Sequence, residues 1–142
     1  AACAAAALDE ETGAAFAERF GILPCEGYGL TECGPVVSFN VPGGDSHEGR
    51  QMAHRPGSIG RPLPGVAVRV VDRDTGAVLP QDQSGELQVK GTNVMLGYVG
   101  AGEGAGSSRL EDGWLPTGDR AHIDRGGFLI IDGRSGVDEL QI

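Results

Sequence analysis

The chain has 142 residues, 39% of them hydrophobic and 25 of them glycine, enough for one core but with much of its length committed to turns and close approaches. Its formal charge of −9, from 20 acidic and 11 basic side chains, leaves no basic stripe for nucleic-acid phosphates and no polybasic face for an anionic membrane surface. No apolar run approaches the length of a bilayer span, and the lead AACAAAAL has no basic region before it to serve as a signal peptide.

The first predicted element is a helix over residues 9–20, DEETGAAFAERF. Asp9, Glu10 and Glu11 crowd its first turn, where the helix dipole favours anions. Ala15, Phe16 and Phe20 fall on one face, and Gly21 is placed to stop it. ILPCEGY then reads as a short strand running into a glycine loop, and PVVSFN (35–40) as a second. Residues 41–57 form a polar loop, long for a compact domain. Beyond it the pattern turns to short alternating runs: GVAVRVVD (65–72), GELQVKG (85–91) and FLIID (128–132), with the turns DRDTG and DRGG between them. GAGEGAGSS (100–108) reads as a surface loop. The fold class expected is the helix–strand end of an α/β layer followed by a small antiparallel β-barrel or sandwich.

Cys3, Cys25 and Cys33 are odd in number and lack zinc-site spacing, so reduced thiols in a cytoplasmic protein are expected. Cys33 has no histidine near it in sequence to make it a catalytic thiol. The stretch EGYGLTE (26–32) carries more chemistry. Gly27 and Gly29 let backbone approach a flat ligand, and Tyr28 offers a ring face and a hydroxyl. Thr31 offers a hydroxyl to phosphate, and Glu32 a hard carboxylate for Mg²⁺. On this motif alone, a nucleotide site and a glycine turn around a buried tyrosine weigh evenly. In WLPTGD (114–119), Asp119 on a Thr117–Gly118 turn can accept two ribose hydroxyls or cap its own backbone. In DGRS (132–135), Arg134 can meet ribose or phosphate, or simply lie on the surface.

Taken in order, GYGLTE, GELQVKGTNVMLGY, GWLPTGD and GFLIIDGR resemble the core motifs of the adenylate-forming superfamily, from about residue 8 to residue 134. EGYGLTECGPVVSFN, RPGSIGRPLPGVAVRVVD and VKGTNVMLGY are most similar to its long-chain acyl-CoA and acyl–acyl-carrier-protein synthetases. The resemblance implies that Tyr28 stacks on adenine, with Gly27 and Gly29 shaping the adenine and acyl walls and Ile131 packing nearby. Thr31 would contact the α-phosphate and Glu32 would hold Mg²⁺, the pair with catalytic roles. Asp119 would hold the ribose hydroxyls, and Arg134 would contact ribose and adenylate. It implies ATP, AMP and Mg²⁺ as cofactors. The partners implied are a fatty or other carboxylic acid and CoA or acyl carrier protein, with no nucleic acid. The whole enzyme is expected in the cytoplasm or at the inner face of the membrane.

On this frame, residues 1–40 are expected to close the α/β adenylate-binding subdomain, 41–57 to be a loop, 58–134 a β-rich subdomain, and 135–142 the start of a hinge. The family's Ser/Thr/Gly-rich phosphate loop and its lid-domain lysine are not in this sequence, and Gly136 stands where relatives carry a charged hinge residue. The chain is therefore expected to be a fragment of the large N-terminal domain of an AMP-forming ligase, inactive alone. The alternative is a noncatalytic β-rich binding module of the same descent. In either case Phe16, Phe20, Val36 and Val37 are expected to lie exposed.

Overall fold

A computed structural model describes residues 1–4, 6–41, 54–98, 110 and 112–134. The Gly/Ser-rich stretch 100–108, most of the loop 41–57 and the hinge expected at 135–142 lie outside the described residues.

The first part of the chain builds around a four-stranded sheet in the order β1 (Ala2–Cys3), β2 (Cys25–Tyr28), β3 (Ser38–Phe39), β4 (Arg61–Pro62). β1 and β2 run parallel, with Ala2 opposite Cys25, so they need a crossover. That crossover is helix α1 (Glu10–Phe20). Its ends are set by sequence. Asp9 stays extended and its side chain accepts from Thr12 N at 2.8 Å, and Gly21 closes the helix at φ 70° with its N–H on Ala17 O. The Thr12 bond holds the Asp9 carboxyl below its ordinary pKa. β3 and β4 join antiparallel, so the sheet takes a strand from each side of the expected loop.

The second sheet is antiparallel, in the order β5 (Val66–Val71), β6 (Gly85–Gly91), β7 (Leu115–Ile123), β8 (Leu129–Arg134). Asp72 turns the chain after β5 by accepting from Thr75 Oγ1 and N, each at 2.8 Å. Of the expected barrel or sandwich, the described residues show β5–β8 as one open antiparallel sheet whose strands do not close on themselves.

β7 also corrects the turn expected at Thr117–Gly118. These residues lie inside β7, the longest of the described strands, at an irregularity where Gln88 pairs Pro116 and Glu86 pairs Arg120. Two extra residues sit on the β7 side, and Gly118 takes φ 78°. The Pro and Gly that signal a turn here make a bulge instead.

The two sheets share one core. Cys33 and Val37 pack with Val89 and Leu115, while Tyr28 and Ile59 reach the cluster of Val70, Leu87, Ala121 and Leu129. A buried polar clamp reinforces the join. Asn40 Nδ2 donates to Ser58 O at 2.6 Å and Asn40 Oδ1 accepts from Arg55 N at 3.0 Å. Ile59 N and Leu129 N exchange bonds with Leu129 O and Gly60 O at 2.9 Å, laying this segment along β8. Arg55 pairs with Asp124, whose other oxygen holds Phe128 N at 2.7 Å.

The exposed apolar face is found in part. Phe20 is 61% and Val36 40% exposed, and the Phe16 and Phe20 rings touch at 4.6 Å between centroids. Phe16 is half-buried. Val37 contradicts the expectation: it is fully buried, because β6 and β7 supply Val89 and Leu115 to cover it.

Candidate nucleotide site

β2 delivers the motif to the seam between the sheets. It ends at Tyr28, and Gly29 passes so close to the 35–36 backbone that a Cβ there would overlap the Pro35 carbonyl. A Cβ on Gly27 would strike the Phe39 ring. These two glycines are thus required by close packing of chain on chain. Residues Thr31–Cys33 then form a single 3₁₀ turn ended by Gly34 at φ 55°.

From the other sheet, the β7 bulge presents Asp119 toward Tyr28. Tyr28 Oη donates to Asp119 Oδ2 at 2.5 Å. Arg134 stands opposite Asp119 in the β7–β8 ladder, with Nε 3.6 Å from Oδ1. Thr117 Oγ1 donates to Leu87 O at 2.8 Å and accepts from Asp119 N at 3.1 Å, which fixes the bulge from inside. Burial, and then the Asp119 carboxylate, push the Tyr28 phenol well above its ordinary pKa.

These side chains border a cavity of about 370 Å³. Gly27, Tyr28, Gly29, Glu32, Asp119, Ile131 and Arg134 all reach it. Thr31 does not: it is exposed at the head of the 3₁₀ turn, between Leu30 and Glu32, which do. The chemistry of the wall is mixed, with a ring, apolar Ile59 and Ile131, the three carboxylates of Glu26, Glu32 and Asp119, and a guanidinium. A flat base, a diol and an anion can each find a partner there.

Several residues at the site went unnoticed in sequence. Ala6 and Ala7 line the cavity from the segment before α1, where nothing but the position ahead of a helix could have marked them. Glu26 borders it too and accepts from Gly57 N at 3.1 Å. The loop after β6 grips the 3₁₀ turn. Asn93 Nδ2 donates to Cys33 O at 2.8 Å, Met95 N to Glu32 O at 2.8 Å, and Tyr98 Oη to Glu32 Oε1 at 2.6 Å. Asn93 and Tyr98 lie within VKGTNVMLGY, so the motif carried the signal without naming the residues.

Among the described residues no group of three or more His, Cys, Asp or Glu side chains could cage a metal. Glu32 supplies one carboxylate at the cavity. That donor set fits Mg²⁺, which is commonly held by one or two carboxylates with phosphates and water completing its shell.

The model of the family described as "AMP-binding enzyme" matches residues 1–99, and the chain belongs to that family. It is 47% identical over 106 residues to the long-chain-fatty-acid–CoA ligase of Salmonella typhimurium, covering 75% of this chain and 17% of that protein. It is 38% identical over 129 residues to luciferin 4-monooxygenase of Photinus pyralis, covering 89% of this chain and 22% of that protein. Among solved structures, apo MatB from Rhodopseudomonas palustris superposes with a TM-score of 0.81 at 34% identity, over 95% of this chain and 25% of that one. The chain thus spans a small part of the length of the relatives it matches.

Proposed function

We propose that this chain is the adenylate-holding part of an AMP-forming acyl-activating ligase. In that reaction a carboxylate oxygen attacks the α-phosphorus of ATP, forming an acyl–phosphate bond as pyrophosphate leaves. A thiol sulfur then attacks the acyl carbon, and AMP leaves with the bonding electron pair. Catalysis of the first step is mainly positioning and charge stabilisation.

The observation that carries this proposal is convergence. Tyr28 and Asp119 lie 91 residues apart, on different sheets, yet share a 2.5 Å hydrogen bond at one cavity. In this account the Tyr28 ring supports adenine, Asp119 takes the ribose hydroxyls, and Arg134 faces ribose and phosphate. Ile131 and the two glycines shape the walls, Thr31 serves the α-phosphate from the edge of the site, and Glu32 would hold Mg²⁺. Mg²⁺, when bound, would neutralise phosphate charge. Turnover would also draw on a phosphate loop and a lid lysine, which the resemblance assigns to other segments of such an enzyme.

The similarity to a long-chain-fatty-acid–CoA ligase supports a fatty acid as substrate and CoA as acceptor, with acyl carrier protein as the second acceptor of the same thiol chemistry. The whole enzyme would work in the cytoplasm or at a membrane's inner face; no helix among the described residues is long and apolar enough to cross a membrane.

Calorimetric titration with a nonhydrolysable acyl-adenylate analogue, with and without Mg²⁺, tests the proposal. Saturable binding that Asp119→Ala weakens at least tenfold is expected. A folded chain that releases no heat with the analogue, or an unchanged affinity in the variant, would sink it.

A further inference from the structure

The ring of Tyr28 is accounted for by the nucleotide platform; its hydroxyl is not. That hydroxyl donates to Asp119 Oδ2 at 2.5 Å, and it comes from a side chain with little freedom. Tyr28 packs against both core clusters, that of Cys33, Val37 and Val89 and that of Val70, Leu87 and Leu129. Asp119 is placed very differently. It sits on a strand irregularity beside Gly118 at φ 78°, where backbone alone does not dictate a rotamer. Its other oxygen, Oδ1, has Arg134 Nε at 3.6 Å, from a side chain that is 71% exposed. The exposed arginine is a poor anchor. The half-buried phenol is a better one.

We propose that the Tyr28 hydroxyl is a positioning group that locks the Asp119 carboxylate in the orientation that receives the ribose hydroxyls. This rests on the assignment of Asp119 to ribose in the preceding section. An ionised carboxylate offers about four acceptor directions. One on Oδ2 goes to Tyr28, and in this proposal the others serve a vicinal diol in the cavity that Asp119 lines. The lock also spans the two sheets, so the orientation of the diol acceptor is tied to the position of the base platform itself. Because burial and Asp119 keep the phenol protonated above the ordinary tyrosine range, the donor persists at neutral pH.

Tyr28→Phe isolates the hydroxyl, since it keeps the ring, its packing and its stacking face. The first arm needs no ligand: side-chain coupling constants of Asp119 by NMR. A single χ1 rotamer is expected in the parent chain and rotamer averaging in Y28F. Averaging in the parent, or one unchanged rotamer in Y28F, overturns the proposal. Should Y28F not fold, the parent's Asp119 couplings and a slowly exchanging Tyr28 hydroxyl proton decide it alone. The second arm compares AMP with 2′-deoxy-AMP. The parent is expected to prefer AMP at least tenfold, and Y28F to lose most of that preference while 2′-deoxy-AMP affinity changes less than threefold. Equal loss for both nucleotides would mean that the hydroxyl acts only on the fold. A parent that binds neither nucleotide would refute the proposed function, and the rotamer comparison would still decide the lock.

Discussion

Cys33 shows how placement decides the character of a side chain. It lies one residue beyond Glu32, as the last residue of the 3₁₀ turn in the motif that builds the cavity, yet it is fully buried. Burial, and then the nearby Glu32 charge, push its pKa from 9.0 up to about 11. A thiol needs its thiolate form to react, so Cys33 is a packing residue. Its modification by a thiol reagent at pH 8 is expected to be at least about tenfold slower in the folded chain than after unfolding in denaturant. Equal rates would contradict that assignment. The sign of the pH effect follows from the raised value. In the window between 9 and about 11 the folded state keeps a proton that the unfolded state has lost. The stabilisation is complete below 9 and is lost as pH rises through about 11. Stability measured against pH is therefore expected to decline across that alkaline window, and a Cys33→Ala chain to decline less steeply.

Among the elements, Asn40 and the residues from Arg55 to Gly60 do the joining. Asn40 is fully buried, and both ends of its amide are used, by Ser58 O and Arg55 N. Asn40→Ala would strand those groups away from water, at a cost of about 1–3 kcal/mol. Urea unfolding should show the loss as a lower midpoint; an unchanged midpoint would mean that the clamp is not what joins the sheets. Elements with local signals could be read directly. Asp9 and Gly21 bound α1 within a residue, and the alternation of GELQVKG matches β6 from Gly85 to Gly91. β7 was missed because its breakers, Pro116 and Gly118, carry the same local signal in a bulge as in a turn. Only the neighbouring β6 and β8, which supply its hydrogen-bond partners, decide between the two. Val37 failed for a related reason, since the strands that cover it are more than fifty residues away in sequence.

For the whole molecule, the two sheets meet along a seam, and the candidate site lies at that seam. Tyr28 and Asp119 are the two sides of one contact, so the cavity exists only when both sheets are docked. Motif order made the chemistry of the site legible in the sequence: ring, hard carboxylate, diol acceptor and guanidinium. The geometry was not legible, because it depends on a register irregularity in β7 and on a core shared between distant segments. Ala6, Ala7, Asn93 and Tyr98 join the site for the same reason, through positions that tertiary packing alone assigns. The most direct test of this account is an NMR map of backbone amide shifts as AMP is added to the chain. The account predicts saturable perturbations at Gly27–Leu30, Thr117–Asp119 and Ile131, from both sheets at a single dissociation constant. Perturbations confined to one sheet, or none in a folded chain, would contradict a nucleotide site at the seam.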